Sequence, residues 1–528
     1  MVKKTNNRPQ IIIPMSGFGS RFLKEGYLGP KPLVQVLGFP MIKHVLDIFP
    51  NSENVVFVCN KQHLENTQMR QVLLDLSPSC KIVSIEPHKK GPVYAVLEAS
   101  QFVLDDRPVI VSYCDYGTEW DYELFLNTME QTNSDGGIPC YIGFHPHMLG
   151  KDHYAYVREE NKTAIEVREK KPFTDNKMSE FASNGTYYFK SGYLLKYYFN
   201  KLIEDNKHMN GEFYVSMVYN QMIKDKLKVK IFEIEKMLQW GTPYDLRIYQ
   251  KWMRYFINKN RVPIRPFSAP KDTTLLLPMA GRGHRFKTEG FEEPKPFIKV
   301  DGVPMFYRAI QDLPRCESVV LGILKEHTEK HYYKQRIQKQ LKNSKIVEID
   351  SVTQGQACTV EIMIKEQNLD PERPILVSAC DNGIYYDQKS FEAELNDLKN
   401  DIVVCSFRNH ETSKNNPNMY AWLDVDDEGF IKHVSCKNFI YDDPLKTHAI
   451  IGTMFFRKAR FFLDGLQKNY ENDIRTNGEF YVDDVLNQNI EMGLRVKVFE
   501  AKDFICWGTP NDYKTYNYWK DHFEKNRF

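Results

Sequence analysis

The sequence is written twice, and that repeat constrains the fold more than any other feature. Ile12-Ile-Pro-Met-Ser-Gly-Phe-Gly-Ser-Arg-Phe22 returns as Leu276-Leu-Pro-Met-Ala-Gly-Arg-Gly-His-Arg-Phe286, a shift of 264 positions. Gly29-Pro-Lys-Pro-Leu33 returns at the same shift as Glu293-Pro-Lys-Pro-Phe297, and Gly38-Phe-Pro-Met41 as Gly302-Val-Pro-Met305. Tyr113-Cys-Asp-Tyr-Gly117 matches Ala379-Cys-Asp-Asn-Gly383 at 266. Asn210-Gly-Glu-Phe-Tyr-Val215 and Trp240-Gly-Thr-Pro243 match Asn477-Gly-Glu-Phe-Tyr-Val482 and Trp507-Gly-Thr-Pro510 at 267. An offset that drifts by only three positions means two collinear domains. The 528 residues also exceed what one hydrophobic core supports. The pattern predicts a first domain over 1–260, a linker over 261–272 stiffened by Pro263, Pro266 and Pro270, and a second domain over 273–528.

Each half alternates short β-branched runs with longer amphipathic segments. Ile11–Ile13, Val55–Val58, Ile82–Ile85 and Val109–Val111 read as strands buried on both faces; Phe39–Phe49 and Val93–Val103 read as helices. The alternation predicts an α/β class with a mostly parallel sheet and helices on both faces. Ligands of such sheets gather beyond the carboxyl ends of the strands, where the glycine and aspartate motifs fall.

With 71 basic against 69 acidic residues, the net charge of +2 argues against a non-specific nucleic-acid binder. No apolar run reaches the roughly 18 residues of a membrane span, and the polar start Met1–Arg8 lacks a signal peptide's apolar core, so a cytoplasmic location with no membrane partner is expected. Ten scattered cysteines without a CxxC pair read as reduced, mostly buried thiols and not as a zinc site.

Three motifs carry chemistry. The first follows a strand: Pro14-Met15-Ser16-Gly17-x-Gly19-x-Arg21, then Lys31 between two prolines, repeated as Pro278-Met279-Ala280-Gly281-x-Gly283-x-Arg285 and Lys295. Glycines let backbone N–H groups approach a triphosphate, and a rigid guanidinium with a mobile ammonium can neutralise charge between an α-phosphate and leaving pyrophosphate. Neither GxGxxG nor the P-loop GK[ST] is present, so a lone strand-to-helix turn is the competing interpretation. The second motif places Asp115 and Asp381 just past an apolar strand, suited to Mg²⁺ (or Mn²⁺) beside phosphates; alone, each is as easily a turn aspartate. The third, Gly91-Pro-Val-Tyr-Ala95 and Gly355-Gln356-Ala357-Cys-Thr359, opens a helix and could touch a base; unaided it is simply a helix N-terminus.

In this order the motifs resemble the sugar-phosphate nucleotidyltransferase family across nearly all of both halves. The resemblance implies two tandem Rossmann-like (GT-A-type) domains, each using Mg²⁺ and an NTP to activate a phosphorylated small molecule. By motif position Arg21, Lys31, Arg285 and Lys295 would hold phosphates, Asp115 and Asp381 the metal, and the 91–95 and 355–359 loops the base. Glu169-Lys170, Asn184-Gly185 and Glu212 would line the first acceptor pocket, and Lys437, Gly452 and Glu479 the second. The departures are specific: a second metal-binding Asp common in the family is replaced by Gln239 and Cys506, leaving Asp245 and Asp512 as carboxylates that could reach in. Glu169 becomes Cys436 and Asn184 becomes Ile451, so the two acceptor pockets should differ.

The leading expectation is two active transferase sites feeding nucleotide-sugar synthesis for surface (capsule) polysaccharide, with CTP favoured as donor. A second is one catalytic half beside a binding or regulatory copy. A GT-A glycosyltransferase is a third, disfavoured because Asp-Tyr-Gly and Asp-Asn-Gly stand where that class shows Asp-x-Asp. Two tandem copies could also pack as an intramolecular pseudo-dimer.

Overall fold

The computed structural model describes residues 8–261, 267–329 and 333–526. They divide into two compact units, Met1–Met253 and Arg254–Phe528. The division falls inside the helix Pro243–Arg261, which runs one residue into the expected linker. Pro263 and Pro266 of that linker lie outside the described residues; beyond them Ser268 bridges to Arg315.

In the first unit the strand Gln10–Met15 is apolar, β-branched and almost wholly buried, so it sits inside the sheet, within its parallel part. It pairs in parallel with Val55–Asn60 and Val109–Ser112, and Lys81–Ile85 extends the parallel edge. Beyond Val109–Ser112 the sheet turns antiparallel through Thr186–Phe189 and Gly136–Tyr141, so it is mixed, and the glycine and aspartate motifs sit at its parallel part. Side-chain alternation along Gln10–Met15 explains the two cores. Ile12 joins a cluster fed by the helices Pro92–Glu98, Gly192–Glu204 and Val215–Lys224. Ile11, Ile13 and Met15 join another fed by Met41–Asp47, Met69–Leu76 and Tyr122–Gln131.

The second unit has the sheet order Lys345–Ile349, Ser318–Leu324, Thr274–Met279, Ile375–Ser378, His448–Phe456, Ile402–Phe407, Val496–Glu500. Its first four strands pair in parallel and the next two junctions are antiparallel. Leu276 and Leu275 face opposite clusters, again with helices on each side. Helix formation follows the expected positions with shorter ends: Phe39–Phe49 is helical over Met41–Asp47, and Val93–Val103 is a helix over Pro92–Glu98 followed by a 3₁₀ turn at Ser100–Phe102.

Candidate active site

The glycine loop leaves the strand Gln10–Met15 and turns at Gly19, whose φ of 64° lies in the left-handed region and caps the helix Ser20–Lys24. Gly283 repeats this at 61° before His284–Thr288. Gly17 and Gly281 have open space where a Cβ would stand, so nothing in the fold requires them to be glycine. Pro14, Met15 and Ser16, with Pro278, Met279 and Ala280, form the strand ends beneath the loops. Arg21 and Arg285 point outward and are exposed. The charge of Arg21 nevertheless acts on His153, Tyr214 and Asp245.

Pro30 and Pro32 fix the backbone around Lys31 at the first position of a 3₁₀ turn; Lys295 has the same mount. The consequence is an ion pair in each unit, Lys31 to Asp115 Oδ2 and Lys295 to Asp381 Oδ2, with the first pair only 17% and 23% exposed. Burial pulls the Lys295 ammonium down, but the Asp381 charge beside it more than offsets this and holds it above its ordinary value.

Each aspartate stands between a sheet strand and a short ribbon: Tyr116–Glu119 pairs with Lys236–Gln239, and Asn382–Tyr385 with Asp503–Cys506. The Trp240 N–H donates to the Asp115 carbonyl at 3.1 Å, and Trp507 to Asp381 at 2.8 Å. A Cβ on Gly117 would lie 2.8 Å from the Trp240 indole, and one on Gly383 3.0 Å from that of Trp507. The Asp-x-Gly and Trp-Gly-Thr-Pro motifs are therefore two strands of one ribbon. The glycine of Gly-Thr-Pro clears the carboxylate itself: a Cβ on Gly241 would stand 3.0 Å from both Asp115 Oδ2 and Gln239 Nε2. In the second unit the corresponding neighbours of Gly508 are Asp381 Oδ2 and Cys506 Sγ.

Asp245 closes this corner, accepting a 2.5 Å hydrogen bond from Thr242 Oγ1. Asp512 accepts from Thr509 Oγ1 at 2.6 Å and from Cys506 Sγ at 3.4 Å. Burial raises the Asp245 carboxyl to about 6; the Thr242 hydrogen bond and the Arg21 charge oppose the rise, and Asp115 adds to it. A folded-state value above the unfolded one makes this group stabilising below the unfolded pKa of 3.8, and that stability is lost as pH rises through 6. Asp245→Asn should therefore gain on wild type by up to about 2–3 kcal/mol between pH 4 and 7, read from urea midpoints in chelator. A wild-type-to-variant difference constant with pH would refute the burial of this charge.

The loops at 91–95 and 355–359 carry glycines for a reason that the sequence does not disclose. Gly91 has φ of 91°, and its Cβ would lie 2.7 Å from the backbone N and O of Phe213. Phe213 N–H donates to the Lys90 carbonyl at 2.9 Å, and Val93 N–H to the Phe213 carbonyl at 3.2 Å. Gly355, at φ 139°, meets Phe480 in the same way. The Gly-Glu-Phe-Tyr repeat is thus a strut under the loop, and Ala95 and Ala357 are buried in the core behind it.

A cavity of about 280 Å³ in the second unit gathers most of the predicted residues. Pro278, Met279, Ala280, Gly281, Gly283, Lys295, Gly355, Gln356, Asp381 and Glu479 all line it. Ala357, Arg285, Lys437 and Gly452 are not among its lining residues. Thr353, Ala379 and Cys380 line it without having been singled out; Thr353 Oγ1 donates to the Gly355 carbonyl at 2.7 Å, a local turn bond that a Thr two residues before a helix-opening glycine could have signalled. At the matching positions the first unit has Pro92 for Gln356 and Tyr113 for Ala379.

The expected acceptor residues lie beside this corner. Glu169 is buried and accepts from Ser216 Oγ at 2.5 Å; burial raises its carboxyl, with the Ser216 bond and the Lys170 charge opposing. Lys170 donates to Tyr214, which donates to Glu212 Oε2 at 2.7 Å. Lys437 instead donates to the Met419 carbonyl. Both lysines hold a left-handed φ of 53°, a conformation uncommon for Lys. Asn184 is fully engaged within the fold: its amide donates to Thr118 Oγ1 at 2.9 Å and its carbonyl oxygen accepts from Thr186 N–H at 3.0 Å. Gly185 and Gly452 both adopt positive φ and accept from the backbone N–H of Tyr113 and Ala379.

Residues 11–236 match the nucleotidyl transferase family. The match falls within the first unit and spans less than half of the chain. Solved structures similar to it include a nucleoside-diphosphate-sugar pyrophosphorylase from Vibrio cholerae, 18% identical with a TM-score of 0.38, covering 46% of this chain and 98% of that one. Another is an inositol-1-phosphate CTP transferase from T. maritima, 15% identical with a TM-score of 0.37, covering 49% and 98%. No curated protein matches the chain. Among the described residues no helix is long and apolar enough to cross a membrane.

Proposed function

We propose that both units transfer a nucleotidyl group from an NTP to a phosphorylated small molecule and release pyrophosphate. The observation that carries this reading is the Lys–Asp pair under an open glycine loop, Lys31–Asp115 in one unit and Lys295–Asp381 in the other. The acceptor's phosphate oxygen attacks the α-phosphorus in line, the α–β anhydride bond breaks, and pyrophosphate carries away the electron pair. No enzyme nucleophile is needed; alignment and charge stabilisation supply the rate. The lysine leaves its aspartate for the phosphates, where with Arg21 or Arg285 it neutralises the developing charge.

In the first unit Asp115, a hard oxygen donor, would hold the divalent cation, with the Gln239 side-chain amide next to it across Gly241. The second unit offers Asp381 beside the softer Cys506 thiol, a poorer set for Mg²⁺. When bound, Mg²⁺ (or Mn²⁺) supplies neutralisation of the phosphate oxygens. The motif order favours a sugar phosphate or related acceptor and CTP as donor, in a cytoplasmic step that makes activated precursors for surface polysaccharide.

A second reading, with one catalytic unit, is favoured by the base loops. Pro92 offers no N–H where Gln356 does, and Tyr113 fills space that Ala379 leaves open, so the second unit would be the nucleotide-binding one.

Pyrophosphate release with each of the four NTPs and a panel of sugar and alcohol phosphates, on wild type, Asp115→Ala and Asp381→Ala, tests both. Acceptor-dependent release abolished by one variant alone supports the single-site reading; partial loss in each supports two. Turnover of a nucleotide-sugar without any such release would overturn the transferase assignment in favour of a glycosyltransferase.

The left-handed lysine gives a sharper check on the acceptor end. Lys170→Gly removes the cation and relieves the backbone, so stability should hold or rise by about 1 kcal/mol. The first-site acceptor KM should climb about tenfold or more with the NTP KM unmoved. A variant that loses stability and keeps its KM would make Lys170 a structural residue.

A further inference from the structure

One facing pair, buried in the first unit and half-buried in the second, differs between the units in a way that conserves its charge. In the first unit Glu169 ends the strand Thr163–Glu169, and Ser216, second residue of the helix Val215–Lys224, donates to it. In the second unit Cys436 ends the strand Ile431–Cys436, and Asp483 is the second residue of the helix Val482–Glu491. Here the Cys436 thiol donates to Asp483 Oδ2 at 3.9 Å, a long bond of the kind sulfur makes. Both replacements lie at the repeat's shift of 267 positions, so the acid has crossed from strand to helix while the pair stayed in place.

We infer that Asp483 is the acceptor-recognising carboxylate of the second site, accepting hydrogen bonds from the hydroxyl groups of a polyhydroxylated phosphate ester. This rests on the reading of the second unit as a transferase. Loss of Glu169 from the repeat therefore does not empty the second acceptor pocket.

The surroundings of the pair bear on this. A pair with only a packing role needs no charge, and two apolar or hydroxyl side chains would fill the same space without the cost of burying one. The neighbouring lysine keeps its left-handed backbone in both units, so the strand end is held in one geometry whichever element supplies the acid. Glu479, four residues before Asp483, lines the cavity that also holds Lys295 and Asp381. The adjacent Asp484 is already engaged by Thr476 Oγ1 at 2.8 Å, which leaves Asp483 as the acid facing Cys436. The carboxyl of Asp483 is raised to about 6 by burial, with the Lys437 charge opposing, so it is largely ionised at neutral pH. An aspartate on a helix projects differently from a glutamate on a strand, so the second acceptor should differ from the first in the placement of its hydroxyl groups.

The test uses the full chain carrying Asp115→Ala, so that only second-site turnover is read. With the acceptor found in the panel, Asp483→Asn should raise the acceptor KM about 10- to 100-fold and leave the NTP KM unchanged. The exchange Cys436→Glu with Asp483→Ser rebuilds the first-unit pair and should restore acceptor binding or shift preference toward the first site's acceptor. An unchanged acceptor KM in a folded Asp483→Asn protein overturns the proposal alone. So does an exchange variant that folds and binds neither acceptor. Absence of any Asp381-dependent pyrophosphate release overturns the underlying reading of the second unit, and this proposal with it.

Discussion

Gly355→Ala is expected to destabilise the second unit by about 2–4 kcal/mol, and Gly91→Ala the first unit by a similar amount. Two independent costs meet at each position. The backbone stands at φ 139° or 91°, where an alanine is strained. The added methyl would also press on main chain: 2.5 Å from the nitrogen of Phe480 and against its carbonyl oxygen, or 2.7 Å from both atoms of Phe213. Main chain hydrogen-bonded to the loop through both its N–H and its carbonyl cannot swing aside as a side-chain tip can. The loop must peel from its strut, and the two bonds between loop and strut go with it. Gly281→Ala provides the contrast, since it meets no atom within 4 Å and needs no left-handed backbone. It should stay within about 0.5 kcal/mol of wild type while weakening NTP binding, because its methyl obstructs only a ligand. Urea unfolding and nucleotide titration on the three variants separate the cases; a Gly355→Ala protein as stable as wild type would remove the strut.

That contrast also marks how far the sequence was legible. The α/β class was read from strand periodicity, because a strand such as Ile11–Ile13, buried on both faces, cannot be mistaken for a surface segment. The antiparallel half of the sheet was not, since its strands carry no comparable signal and their order is set by long-range pairing. Among the site residues, Lys31 and Asp115 were visible because proline and an apolar strand frame them; that they pair is a fact of geometry. The need for glycine at 91 comes in part from Phe213, more than a hundred residues away, and Gly117 owes its identity to Trp240; neither neighbour is visible in the sequence. The hydrogen bonds of the Asn184 amide to Thr118 and Thr186 are likewise set by the fold and not by the motif. The exchange of Glu169 for Asp483 was half seen: Cys436 looked like a loss, because the compensating residue lies on another element.

The largest effect on activity should come from the Lys31–Asp115 pair, measured with Asp381→Ala silencing the second site. Lys31→Ala should lower the first-site rate by about 10²–10³, as losing one oriented charge at a phosphoryl centre does. Asp115→Asn should cost a comparable factor and, unlike Lys31→Ala, should weaken divalent-cation binding seen by calorimetry without nucleotide. Removing the lysine has the opposite effect there, because it frees the carboxylate from its internal counter-ion. The two residues serve one exchange, in which the aspartate is released as the lysine moves to phosphate, so their losses should not add. The double variant should be slower than the worse single variant by no more than about tenfold. Fully additive losses, near 10⁴–10⁶ together, would mean that the lysine and aspartate act independently. The pairing seen here would then be a resting contact with no part in the reaction.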